Sequence, residues 1–106
     1  MPRALAIAIG GTKFEVALVD LAGGIAHRRR VGSAGATEAE ELFGRLAGIL
    51  AEIDQTDVAV CGVGSGGPMR RGGEAVSPLN IPAWRDFPLR SRLADLTGLP
   101  TFVDND

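Results

Sequence analysis

Apolar residues fall along the chain in a pattern that alternates between strand and helix spacing. Ala4–Ile9 is an unbroken apolar run closed by Gly10-Gly11, as in a strand buried within a sheet. Phe14–Asp20, rich in valine and leucine, follows at once, so the two runs and their glycine turn read as a β-hairpin. Gly23-Gly24 marks a second turn, and Ile25–Val31 predicts a third strand that completes a meander. From Thr37 the period changes. Leu42, Leu46, Ile49, Leu50 and Ile53 recur at helical spacing, with Glu38, Glu40 and Glu41 near the start, where the helix dipole favours anions. Thr37 fits an N-cap, and Glu40 three residues later fits a capping box. Asp57–Val63 predicts another buried strand. A glycine- and proline-rich loop covers Gly64–Ala83, with a short strand expected at Glu74–Val76. Leu89–Thr97 predicts a short helix ended by Gly98 and Pro100, and Thr101–Val103 a last strand. The order β-β-β-α-β-α-β, without repeat or linker, predicts one α/β layered domain with a mixed sheet.

Composition narrows the function classes. The 106 residues, 45% hydrophobic and 23% charged, suit one globular domain with a modest core. A net charge of −2 and a pI near 5.3 argue against a dedicated nucleic-acid binder. The cluster His27-Arg28-Arg29-Arg30 reads as a solvated strand face. Arginine outnumbers lysine ten to one, which reads as coding bias. The single cysteine, Cys61, stands in an apolar run and has no internal disulfide partner; it reads as inert core in a reducing, cytoplasmic setting. The run up to Ile9 is too short to span a membrane and no signal-peptide cleavage pattern follows it.

Three segments carry candidate chemistry. Gly10-Gly11-Thr12-Lys13 puts backbone N–H donors, a hydroxyl and an ammonium together, which suits a phosphate; an ordinary Gly-Gly hairpin turn is the competing reading. It is no Walker A loop, because a strand follows where that loop needs a helix. Gly62-Val63-Gly64-Ser65-Gly66-Gly67 contains Gly-x-Gly-x-x-Gly, yet Pro68, Gly72 and Gly73 deny it the helix that a dinucleotide fingerprint needs. It reads instead as a polar loop at the C-terminal edge of a parallel strand, where α/β folds place ligands, or as a plain surface loop. At the chain's end Asn105-Asp106 offers an amide for sugar hydroxyls and a carboxylate that can accept a proton from a hydroxyl; taken alone, the pair is better explained by a simple turn. Trp84 reads as a packing residue at the base of a loop.

Taken together and in order, four segments resemble the ROK family of sugar kinases and sugar-responsive repressors. Ile9-Gly10-Gly11-Thr12-Lys13 is similar to that family's first phosphate motif and Gly62–Pro68 to its sugar-side loop. Ser77-Pro78-Leu79-Asn80-Ile81-Pro82-Ala83-Trp84 resembles its Asn-x-x-x-Trp segment, and Leu99–Asp106 the strand that ends in its catalytic Asn-Asp. The likeness covers the whole chain and leans towards the glucokinase-like members. It implies the actin-like, ribonuclease-H-like ATPase fold, with residues 1–106 as the first of two domains that close around ATP and a hexose. By this likeness Asp106 is the base that takes the proton from the sugar 6-hydroxyl. Asn80 and Asn105 hold ring hydroxyls, and Gly66 and Gly67 add backbone contacts. Gly10, Gly11, Thr12 and Lys13 lie near the ATP phosphates. The resemblance implies in-line transfer with ATP and Mg²⁺, a homo-oligomeric full-length protein, and neither nucleic acid nor membrane as partner. The second ATP-binding half, a further sugar-binding Glu and His, and a His/Cys zinc site belong to a C-terminal domain absent from this chain. No metal ligand is assigned within it. The repressors place a winged helix-turn-helix before the first strand, for which three residues leave no room. One departure stands out. The family carries Asp where this chain has Ala8; that acid helps organise Mg²⁺, so its absence implies weakened or lost activity and a non-catalytic sugar-binding role as the alternative.

Overall fold

The computed structural model describes residues 2–105. Asp106, the expected base, lies outside the described residues. The elements follow the expected order: β1 (Arg3–Ile9), β2 (Lys13–Val19), β3 (Ile25–Gly32), α1 (Ala39–Leu50), β4 (Val58–Ser65), α2 (Leu89–Thr97) and β5 (Thr101–Asn105). They build one five-stranded sheet in the order β3-β2-β1-β4-β5. The meander is antiparallel, whereas β1–β4 and β4–β5 are parallel, so the sheet is mixed as expected.

Strand alternation explains the core. Leu5, Ile7 and Ile9 of β1 share a face with Phe14, Val16 and Leu18 of β2, Cys61 and Val63 of β4, and Val103 of β5; all are buried. Leu42, Leu46, Ile49 and Leu50 of α1 and Leu89 and Leu93 of α2 cover that face and join the same cluster. The apolar stripe predicted for the first helix is therefore core, and Ile53 just beyond it joins in. Cys61 is fully buried, and burial pushes its thiol up to about 11, so it stays a neutral, inert packing group. His27, Arg28 and Arg30 are exposed on β3, consistent with a solvated face.

Four expectations need correction. The unbroken apolar runs suggested strands covered on both sides. Among the described residues, both helices lie on one face, and the other face of β1 carries half-buried Ala4 and Ala6 and exposed Ala8. The helix predicted from Thr37 starts at Ala39, after an N-cap residue Glu38 that makes no side-chain cap bond. The carboxylate of Glu40 is drawn instead to the Arg92 guanidinium on α2, at 2.6 and 2.7 Å, because a fork-shaped partner outcompetes a single backbone N–H. Arg92 also lies 4.5 Å from the Phe43 ring centroid, which ties α2 to α1. Glu74–Val76 is no strand. Arg71–Gly73 forms a short 3-10 turn, and Val76 makes only isolated bridges to Met69 and Phe87. Finally, β4 runs two residues further than expected, to Ser65, and β5 two further, to Asn105. Parallel pairing with a neighbour satisfies their backbones even where glycine and polar residues replace apolar ones. The predicted end of the second helix holds: Gly98 is left-handed, with its N–H bonded to the Ala94 carbonyl at 2.8 Å, a conformation suited to glycine.

Candidate active site

Register places the site. Ile9 pairs with Ser65, and Ser65 with Asn105, so β1, β4 and β5 end in one row at one edge of the sheet. Everything the chain emits there meets: the Gly10–Lys13 turn after β1, Gly66-Gly67 after β4, and Asn105 at the close of β5. Ligands of open α/β sheets bind outside such carboxyl ends. A cleft of about 290 Å³ opens at this edge, lined by Ile9, Gly10, Gly11, Gly66, Gly67 and Asn80, among others.

The loop bearing Asn80 is anchored from below. Trp84 is fully buried, stacks on Phe87 at 4.5 Å and on Phe14 at 5.3 Å, and donates its indole N–H to the Ala39 carbonyl at 3.2 Å. Packing at the loop base, as expected, is thus its role. The Arg85 guanidinium donates to the carbonyls of Pro78, Ile81 and Trp84 at 3.0, 3.2 and 2.6 Å. That clamp holds the loop so that Asn80 touches the glycine turn. A Cβ built on Gly11 would stand 2.6 Å from the Asn80 Cβ. Glycine at position 11 therefore serves the close approach of two loops, a need that the turn itself does not impose. Gly67 is met similarly: a Cβ there would lie 3.0 Å from the Asn105 Nδ2. Asn80 and Asn105, both exposed, thus flank the glycines of the cleft.

The turn has the features of an anion cradle. The Gly10 N–H is spent on the Lys13 carbonyl at 3.1 Å. Ser33 latches the turn from β3's far end, its N–H on the Thr12 carbonyl at 3.0 Å and its hydroxyl on the Gly10 carbonyl at 2.6 Å. Among the described residues no acceptor takes the N–H of Gly11 or Thr12. Two free donors and the exposed Thr12 hydroxyl fit a phosphate. Lys13 itself points along the uncovered sheet face, 3.1 Å from Glu15. This contact, more than the nearby Arg30 and Arg28, holds the Glu15 carboxyl below its ordinary range. For a divalent cation the fit is sparser. No group of three or more candidate ligands occurs among the described residues, and Ala8 brings no carboxylate. Magnesium with nucleotide phosphates needs one or two carboxylates, and Glu15, across from Ala8 in register, is already engaged by Lys13. When bound, such an ion neutralises charge on the phosphates.

The sequence did not single out Ser33, Arg85 or Glu15. Ser33 acts across two elements and Arg85 on a loop's carbonyls, which no local spacing signals; the Lys13–Glu15 pair, two residues apart on one strand, has a spacing that does. Replacing Gly11 with alanine is expected to push the Asn80 loop off the turn. A small-to-large change in tight contact costs about 1–3 kcal/mol. The prediction is a lower melting temperature, and Gly10→Ala, whose Cβ would meet only the Lys13 carbonyl at 3.0 Å, should do less.

Comparison with known proteins gives the family and the fold. Residues 4–106 match the ROK family. An N-acetylmannosamine kinase of Citrobacter koseri is 39% identical over 103 residues, 96% of this chain and 35% of that protein. A ROK family glucokinase of Streptomyces griseus, solved with glucose and AMPPNP, superposes with a TM-score of 0.82 at 28% identity, covering 97% of this chain and 33% of that one. A ROK hexokinase of Thermus thermophilus gives 0.80 at 27% identity, over 97% and 35%. The chain thus spans about a third of the length of these relatives. It belongs to the ROK family, and its fold is that of the actin-like ATPases.

Proposed function

We propose that this ROK family chain is the N-terminal domain of a two-domain, ATP-dependent sugar kinase that phosphorylates a hexose on its 6-hydroxyl. The observation that carries the reading is the single cleft in which the phosphate-type turn, the Gly66-Gly67 loop and Asn80 converge, with Asn105 against Gly67. Glycine edges and amide side chains suit a ligand rich in hydroxyls. Thr12, Lys13 and the free N–H groups of the turn suit the phosphates of ATP. The relatives are sugar kinases named for N-acetylmannosamine and for glucose, and both sugars offer a 6-hydroxyl. Glucose is our first choice and N-acetylmannosamine the competitor.

In this reading Asn80 and Asn105 orient the ring, Asp106 takes the hydroxyl proton, and the turn holds the phosphates in line. Positioning and charge neutralisation then supply most of the rate. The test is ADP release by the full-length protein against a panel containing glucose, mannose and N-acetylmannosamine. Sugar-dependent ADP release with a 6-phosphate product is the expected result; its absence for every hexose, with sugar binding retained, would favour the non-catalytic role that Ala8 suggests.

A further inference from the structure

A two-residue hairpin turn ordinarily closes on itself. The residues before and after it exchange both of their N–H···O=C bonds. Between Gly10 and Lys13 one of the two is made, from the Gly10 N–H to the Lys13 carbonyl at 3.1 Å. The return bond, from the Lys13 N–H to the Gly10 carbonyl, is not made among the described residues. The Gly10 carbonyl accepts the Ser33 hydroxyl instead, at 2.6 Å. Ser33 follows β3 directly and is buried. Its N–H holds a second carbonyl of the turn, that of Thr12, at 3.0 Å. Its own place is fixed from α1. The Arg45 guanidinium donates to the carbonyls on either side of it, Gly32 and Ala34, at 3.1 and 3.0 Å, and Arg45 pairs with Glu41 on the same helix at 3.2 Å.

The peptide bonds of the turn are trans, and a trans peptide is planar, with its C=O and N–H on opposite sides. Drawing the Gly10 carbonyl to Ser33 therefore makes the Gly11 N–H point away from Ser33. Holding the Thr12 carbonyl does the same for the Lys13 N–H. Two carbonyls, whose partial negative charge would repel a phosphate, are thus turned aside, and the donors of the turn are left open. Resting on the kinase reading, we propose that Ser33 is a positioning residue for the nucleotide: its hydroxyl takes the Gly10 carbonyl out of the hairpin and so keeps the turn's N–H groups available to the ATP phosphates. Ser33 touches no phosphate in this role and acts through the turn alone. Without the hydroxyl, the Gly10 carbonyl is free to take the Lys13 N–H, and the turn closes as a plain hairpin. That closure exchanges one hydrogen bond for another, so stability changes little while phosphate binding suffers. A serine that merely satisfied a buried carbonyl would give the reverse pattern.

The test compares the full-length parent, Ser33→Ala and Ser33→Thr by thermal unfolding and by calorimetry with AMPPNP and with adenosine, which lacks the phosphates. Ser33→Ala should weaken AMPPNP binding about tenfold, the order of one hydrogen bond to a charged group. Its adenosine affinity should match the parent's and its melting temperature should barely fall. Ser33→Thr keeps the hydroxyl and should bind AMPPNP as the parent does. Unchanged AMPPNP affinity in Ser33→Ala would overturn the proposal. So would an equal loss for AMPPNP and adenosine, which marks general loosening, or a Ser33→Thr variant as weak as Ser33→Ala. A parent that binds AMPPNP no better than adenosine would overturn this proposal alone. If the parent binds neither ligand, the kinase reading itself falls and takes the proposal with it.

Discussion

Trp84→Ala is expected to cost this domain about 3–5 kcal/mol, the usual range for truncating a fully buried large aromatic. Domains of this kind have only about 5–15 kcal/mol in total, so the variant should lie close to unfolding at physiological temperature. The reason is connectivity as well as volume. The indole is sandwiched between Phe14, one residue after the phosphate-type turn, and Phe87, which bridges to Val76. Its N–H also donates to the carbonyl of the first residue of α1. Its removal opens a cavity, deletes that hydrogen bond and frees the base of the Asn80 loop together. Trp84→Phe keeps a stacked ring and loses only the N–H bond and part of the volume, so it should cost markedly less. Urea unfolding of the two variants measures the difference. A loss below about 1 kcal/mol in Trp84→Ala would show that the aromatic stack contributes little and that the loop is anchored by the Arg85 clamp.

The same residues show what the sequence discloses and what it hides. The order of elements was legible because each strand's apolar run is local and each break is a glycine or proline with a steric reason to be there. Packing of Leu42, Leu46 and Ile49 followed from helical period alone. The site was legible as separate segments, since glycine turns and an Asn-Asp strand end each have a bland alternative. What joined them was register: Ile9, Ser65 and Asn105 in one row. Register depends on pairing between strands tens of residues apart, which no local window contains. The capping box failed for a related reason. Thr37 and Glu40 have the right spacing, yet Arg92, far along the chain, takes the carboxylate. The role of Gly11 was hidden too, because its constraint comes from Asn80 and not from its own backbone angles.

Asp106→Asn in the full-length protein is expected to lower kcat by about 10²–10⁴-fold, the span attributed to a positioned general base, with the KM for sugar changed far less. Asn105 closes β5 level with Ser65 and Ile9, with its amide beside Gly67, and the resemblance to the family's Asn-Asp strand end implies that the residue after it is the base. An amide at position 106 keeps the size and hydrogen-bonding capacity of the carboxylate but cannot accept the hydroxyl proton. Binding should therefore survive while transfer fails, which separates this effect from misfolding. Steady-state kinetics with sugar and ATP varied in turn, together with calorimetric sugar binding, reads both quantities. Asn105→Ala makes the contrast, since an orienting amide should weaken sugar binding and spare the proton step. A kcat within threefold of the parent in Asp106→Asn would mean that another group takes the proton. A parallel loss of binding and kcat would instead make Asp106 a sugar ligand first, which is how a non-catalytic relative would use the same cleft.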